Sequence, residues 1–284
     1  MQANKILVVG SLHYDIMVDA DHRPEKGETV IGTGCSFKFG GKGGNQAVAA
    51  AKAGSNVKFV GAVGADEHGR FLLKKLQTSG IDTTHVETLN AIASGMSVAI
   101  TDADGDYGAI VVSGANTQIN AARLAQDDVW SEVGMLILQN EVPEAINLYA
   151  AQEARRHNVT VCLNAAPAKT LSVDFKDCID ILVVNAVEAR DMSGVSVNDL
   201  NSASLAVLKL KEQFPIVMVT AGEFGVAFSA TEGSYDSLPA EKVKLVSTHG
   251  AGDCFMGTFC KAFNEGISLN EAIEAANHAA AIHV

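Results

Sequence analysis

No run of lysine or arginine appears anywhere in the sequence, and this excludes one class of partner at the outset. The 284 residues carry a formal net charge of −12, whereas a nucleic-acid binder presents a basic face. Cysteine is sparse and scattered: Cys35, Cys162, Cys178, Cys254 and Cys260 are odd in number and form no C-x-x-C pair. A zinc or redox motif is therefore not expected, and buried free thiols in a reducing compartment are. No apolar stretch reaches the roughly 20 residues that span a bilayer. Residues 1–5 run into an apolar strand without the layout of a signal peptide. The expected setting is the cytoplasm, with no membrane partner. Linkers, low-complexity segments and internal repeats are missing too. No G-x-x-x-x-G-K-[ST] occurs, which disfavours a Walker-type ATPase.

What the sequence does hold is ample apolar material, 48% of the chain, arranged in short blocks. Residues 6–9, 57–61, 135–138, 159–163, 179–184 and 216–220 read as buried strands. Helical patterns stand between them, at 45–53 closed by Gly54, at 66–78, and after Pro143, which suits a first helical turn. Short strands are expected at 226–229 and 243–246, and two helices at 252–265 and 269–283. Apolar strands alternating with helices predict an α/β fold, with a mostly parallel sheet covered on both faces. The early part differs. A strand-like stretch at 29–39, a loop at 39–44, and a hairpin of 97–101 and 109–113 around Asp102–Asp106 suggest a small antiparallel lid. Its strands fall within about 12–40 and 94–114 of a single domain, 1–284.

Two glycine-rich segments lead into helices. In Gly250-Ala251-Gly252-Asp253, small residues let backbone approach a phosphate, and the free N–H groups of the next helix face it. Asp253 then has two readings. It is a first-turn aspartate favoured by the helix dipole, or it is a general base taking a hydroxyl proton during phosphoryl transfer. Gly40-Gly41-Lys42-Gly43-Gly44-Asn45-Gln46 is either a bare turn or a loop whose amide and ammonium groups hold a polyol.

Together these two segments resemble those of the ribokinase-like (PfkB-type) sugar kinases, closest to the ribokinase branch. Gly10-Ser11 with Asp15, Gly27-Glu28-Thr29, Gly61-Ala62-Val63-Gly64 with Asp66 and Gly69, Asn185-Ala186-Val187-Glu188, and Thr220 through Gly225 follow in the family's order. The resemblance spans nearly the whole chain. It implies a Rossmann-like three-layer αβα core with a β-sheet lid, a homodimer joined through the lids, and ATP with Mg²⁺ as cosubstrate and cofactor. It implies transfer to a hydroxyl of a small sugar, most simply the terminal hydroxymethyl of ribose or a related pentose. A nucleoside, another sugar, or a non-catalytic regulatory role on the same fold are the alternatives.

The residue roles follow from the same resemblance. Asp253 acts as base, with the amides of Gly250, Ala251 and Gly252 holding the phosphoryl charge. His13, Asp15, Gly41, Lys42, Gly43, Gly44, Asn45 and Glu141 bind sugar. Asn185, Thr220, Gly222, Gly225 and Asn277 bind nucleotide. Glu188 places Mg²⁺ through water. Three departures stand out. Ser247 replaces an aspartate that helps bind an activating monovalent cation, which argues against potassium activation, and family chains commonly continue past the equivalent of Val284. His13 stands where ribokinases carry asparagine, and an imidazole there is expected to move specificity away from ribose.

Overall fold

A computed structural model describes residues 4–103, 107–229, 235–243 and 250–283. Ser247, His249, Val284, the 104–106 turn and most of the 243–246 strand expectation lie outside these residues.

Among the described residues thirteen strands form two sheets. The first half of the chain gives β1 (Lys5–Val9), β2 (His13–Asp19), β3 (Gly34–Gly40), α1 (Lys42–Lys52), β4 (Val57–Gly64), α2 (Glu67–Thr78), β5 (Asp82–Leu89), β6 (Met96–Thr101) and β7 (Tyr107–Val112). After a 3-10 turn at Gly114–Gln118 come α3 (Ala121–Leu124), α4 (Asp127–Trp130), β8 (Val133–Gln139), α5 (Glu144–Arg156), β9 (Thr160–Asn164) and α6 (Val173–Lys176). The last third holds β10 (Ile181–Asn185), α7 (Ala186–Ser193), α8 (Leu200–Leu210), β11 (Ile216–Thr220), β12 (Gly225–Ser229), β13 (Tyr235–Pro239), α9 (Ala251–Asn264) and α10 (Leu269–His283).

The nine-stranded sheet runs β13-β12-β11-β10-β9-β8-β1-β4-β5. It is parallel from β5 to β11, and β12 and β13 are antiparallel. Alternation within β1 explains the two cores. Leu7 and Val9 pack among residues of α5 and α8 on one face, and Ile6 and Val8 among residues of α1, α2, α9 and α10 on the other. Both faces being dry is why these strands read as apolar runs. The layout is the three-layer αβα core with a lid.

The lid is the four-stranded sheet β3-β2-β6-β7. It is not wholly antiparallel: its central pair, β2 and β6, is parallel. The chain leaves β3 through α1, builds β4, α2 and β5, and returns in the same direction as β2. The plate is tied to the main domain where β2 begins. Asn116 accepts from the Leu12 N–H at 2.9 Å and donates to the Leu12 carbonyl at 2.9 Å, and within the lid the Tyr14 N–H donates to the Gly95 carbonyl.

Several boundaries move. The strand expected over 29–39 starts only at Gly34, opposite Asp19, because β2 ends there, with Thr33 donating a last bond to the Asp19 carbonyl at 2.7 Å. The 39–44 loop is instead the end of β3 and the first turn of α1. Pro143 precedes the first turn of α5 as its cap rather than lying within it. Val243 is not in a strand. The thiols are free, but Cys35 is exposed and Cys254 half-buried.

Candidate active site

The carboxyl ends of β1, β8, β10 and β11 and the N-termini of α1 and α9 share one edge of the main sheet, where ligands bind in open α/β folds. Helices α1 and α9 lie in close contact. A Cβ on Gly257 would strike the backbone of Ala49 and Ala50. Gly257 lies one turn after Asp253, and Ala49 and Ala50 lie one turn after Asn45 and Gln46. The small residues therefore set the two helix starts level, and the polar residues meet.

They meet on Asp253. Asn45 donates to Asp253 Oδ2 at 3.1 Å, and Gln46 donates to Oδ1 at 3.0 Å. Burial pushes the Asp253 carboxyl up from its ordinary range. The Lys42 charge and the Gln46 and Asn45 amides oppose this, and Glu141 adds to it. The carboxylate thus points across to α1. Gly250, at φ +83°, caps α9 with no side-chain hydrogen bond, and among the described residues a Cβ on Gly252 would meet nothing within 4 Å. A helix N-terminus with its unpaired N–H groups suits an anion.

On the lid side, Glu141 follows β8 and ties three segments together. Its Oε2 accepts from Ser11 Oγ at 2.5 Å and from the Lys42 N–H at 2.8 Å. His13 Nδ1 lies 3.9 Å from the same oxygen. His13 is buried and its Nε2 has no partner among the described residues. Asp15, on the same face of β2, is buried and accepts from Ser97 Oγ at 2.6 Å. The glycines are a matter of close approach rather than looseness. Gly41 has φ +87°, a Cβ on Gly43 would fall 2.6 Å from Ser11 N, and one on Gly44 would fall 2.7 Å from the Phe39 ring.

On the other side, Asn185 and Glu188 form a capping box at the start of α7: Asn185 N donates to Glu188 Oε2 at 2.8 Å and its Nδ2 to Oε1 at 2.9 Å. Burial raises the Glu188 carboxyl, against Asn185 and the Lys42 charge. Lys42 thus acts electrostatically on both Asp253 and Glu188. Thr220 is the register partner of Asn185. Among the described residues a Cβ on Gly222 would meet nothing within 4 Å, whereas one on Gly225 would run into Leu238 and Pro239, so Gly225 is needed to enter β12. Asn277 donates to the Pro239 carbonyl at 3.0 Å and lines a 470 Å³ cavity with Leu238, Glu241, Glu274 and His278. Among the described residues no group of three or more His, Cys, Asp or Glu could hold a metal ion. One carboxylate, Glu188, suits Mg²⁺ that keeps its waters and is carried by phosphates.

The structure therefore gathers Asp253, Asn45, Lys42, Glu141 and His13 at one point, with Asp15 two residues further along β2. It sets Asn185, Glu188 and Thr220 along the sheet edge, and Asn277 at its far end. Gln46, Ser11 and Ser97 belong to the network although the sequence alone assigned no role to any of them. Gln46 closes the glycine-rich segment and Ser11 stands two residues past a buried strand, so both lie within motifs. Nothing local marked Ser97.

Comparison with known proteins agrees with this layout. The pfkB family carbohydrate kinase model matches residues 3–284. The chain is 37% identical to the ribokinase of Bacillus subtilis over 282 residues, covering 98% of this chain and 92% of that protein. It is 34% identical to the ribokinase of Haemophilus influenzae over 281 residues, with the same coverage. The solved structure of Arabidopsis thaliana ribokinase with ribose and ATP superposes with a TM-score of 0.90 at 30% identity, covering 99% of this chain and 92% of that one. The chain belongs to the pfkB family of carbohydrate kinases.

Proposed function

We propose that the chain transfers the γ-phosphoryl group of ATP to the terminal hydroxymethyl oxygen of ribose or a related pentose. The observation that carries this is Asp253, set at the bare start of α9 and gripped by amides of the glycine-rich segment. The sugar lies between Asp15, His13, Asn45 and Glu141. The nucleotide follows the edge past Asn185, Thr220 and Gly222 toward Asn277. Lid closure excludes water and aligns the hydroxyl with the γ-phosphorus. Asp253 takes the hydroxyl proton, the oxygen bonds to phosphorus, and the bond to the β-phosphate oxygen breaks to release ADP. The amides of residues 250–253 and the Lys42 ammonium hold the negative charge. Mg²⁺, when bound, neutralises phosphate charge, and Asn185 and Glu188 would meet it through water.

Within this proposal ribose is the first reading and a related pentose the second, which is favoured by the buried imidazole of His13, its Nε2 unpartnered among the described residues. A panel of sugars and nucleosides with MgATP, with and without potassium, read by ADP release, decides between them. Turnover of ribose at a low KM that His13→Asn leaves unchanged counts against the second reading. Absence of turnover with every sugar counts against both. The working unit is a single kinase domain over 1–284, cytoplasmic, paired with a second copy through the lids. The pairing is supported by Ile110 and Phe37, which stand exposed in one cross-strand row of the lid with Ile16 and Val98.

A further inference from the structure

We infer that Gln46 is a positioning residue for Asp253: sealed in the α1–α9 contact, its amide fixes one carboxylate oxygen and leaves the other to meet the sugar hydroxyl. The inference rests on the reading of Asp253 as the base. Consecutive amides reach the two oxygens, but their surroundings differ. Asn45 is half-buried on the glycine-rich segment, so its side chain is able to leave Oδ2 for a sugar hydroxyl. Gln46 is 0% exposed and has no such freedom. Its Oε1 has no partner among the described residues, so the bond from Nε2 to Asp253 Oδ1 is the one hydrogen bond described for this amide. An apolar side chain of similar length would fill the same space without burying an unsatisfied acceptor. What glutamine adds there is a donor aimed at the carboxylate.

A donor to the ionised form favours that form. Removing it should raise the pH at which Asp253 ionises and rotate the carboxylate out of line. The other charged groups around Asp253 are Lys42 from α1 and Glu141 after β8. His283 of α10 stands beside Gly250 at the head of α9.

The test uses Gln46→Met, which keeps length and removes the donor. Asp253 is titrated by carboxyl-carbon NMR, and kcat and KM for ribose and ATP are followed against pH. The expected result is an Asp253 midpoint and an acid limb of kcat that both move to higher pH. With them comes a loss of roughly 10- to 100-fold in kcat and sugar KM within about threefold. A purely structural role would lower the melting temperature and leave the acid limb in place, which overturns the inference, as does an unmoved Asp253 midpoint. Should the Met variant fail to fold, Gln46→Asn, which withdraws the donor by one methylene, is read the same way. Full activity of Asp253→Asn would refute the base reading separately. The NMR titration would still decide whether Gln46 holds the carboxylate.

Discussion

Replacing Asp253 by asparagine should separate activity from stability, and in opposite directions. The new side chain has the same shape and still offers one oxygen to the amides of Asn45 and Gln46. Its nitrogen would face a donor, but the Gln46 amide carries an unpartnered Oε1 that a flip could present to it. Binding of sugar and nucleotide should therefore persist, with KM values within about threefold. The base is gone, and loss of a positioned general base lowers kcat by roughly 10² to 10⁴, or about 2.7–5.5 kcal/mol of barrier. Stability should move the other way. The carboxyl is raised in the folded chain, chiefly by burial. Its contribution to stability is thus complete at low pH. It declines as pH climbs from the unfolded ionisation value through the higher folded one. Above that window the wild type holds a desolvated charge that the variant lacks. Steady-state kinetics and thermal melts from acid to neutral pH are the assay. The melting temperature of the variant, relative to wild type, should rise with pH. A kcat within tenfold of wild type, or a variant that weakens relative to wild type as pH rises, would refute the reasoning.

Glu141→Gln removes a charged acceptor from Ser11 Oγ and the Lys42 N–H. At roughly 1.5–3 kcal/mol for hydrogen bonds to a charged group, sugar KM should rise at least tenfold. Because Glu141 also raises the Asp253 carboxyl, the acid limb of kcat should shift to lower pH. Gly43→Ala forces a Cβ to within 2.6 Å of Ser11 N. Denaturant melts should show a loss of about 1–3 kcal/mol, together with a higher sugar KM. Ile110→Glu puts a charge on the exposed lid face. If the lids pair as proposed, sedimentation should show a dimer for the wild type and a monomer for the variant, with the melting temperature little changed.

The strands of the main sheet were legible because burial on both faces leaves an uninterrupted apolar mark, as in Leu136-Ile137-Leu138. The start of α1 was not. Gly43 and Gly44 look like loop residues in sequence, yet they sit in a helix because Ser11 and Phe39 press against them. The parallel pairing of β2 with β6 was hidden as well, since register across a long connection leaves no local pattern. Asp253 and the glycine-rich segment were visible as motifs. Their contact through Gln46 depends on two helices meeting at Gly257, which no single segment encodes. Asn185 and Glu188 show the converse: cap and candidate ligand are the same two residues, and sequence alone could not separate the roles.

The lid is tied to the main domain where β2 begins, with Asn116 gripping Leu12. On the proposed function, a plate held at that end would swing as a lever, and displacement would grow with distance from the tie. His13 directly follows the tie, and Asp15 lies two residues further, about 7 Å along an extended strand. Closure would then move the Asp15 carboxylate more than the His13 imidazole.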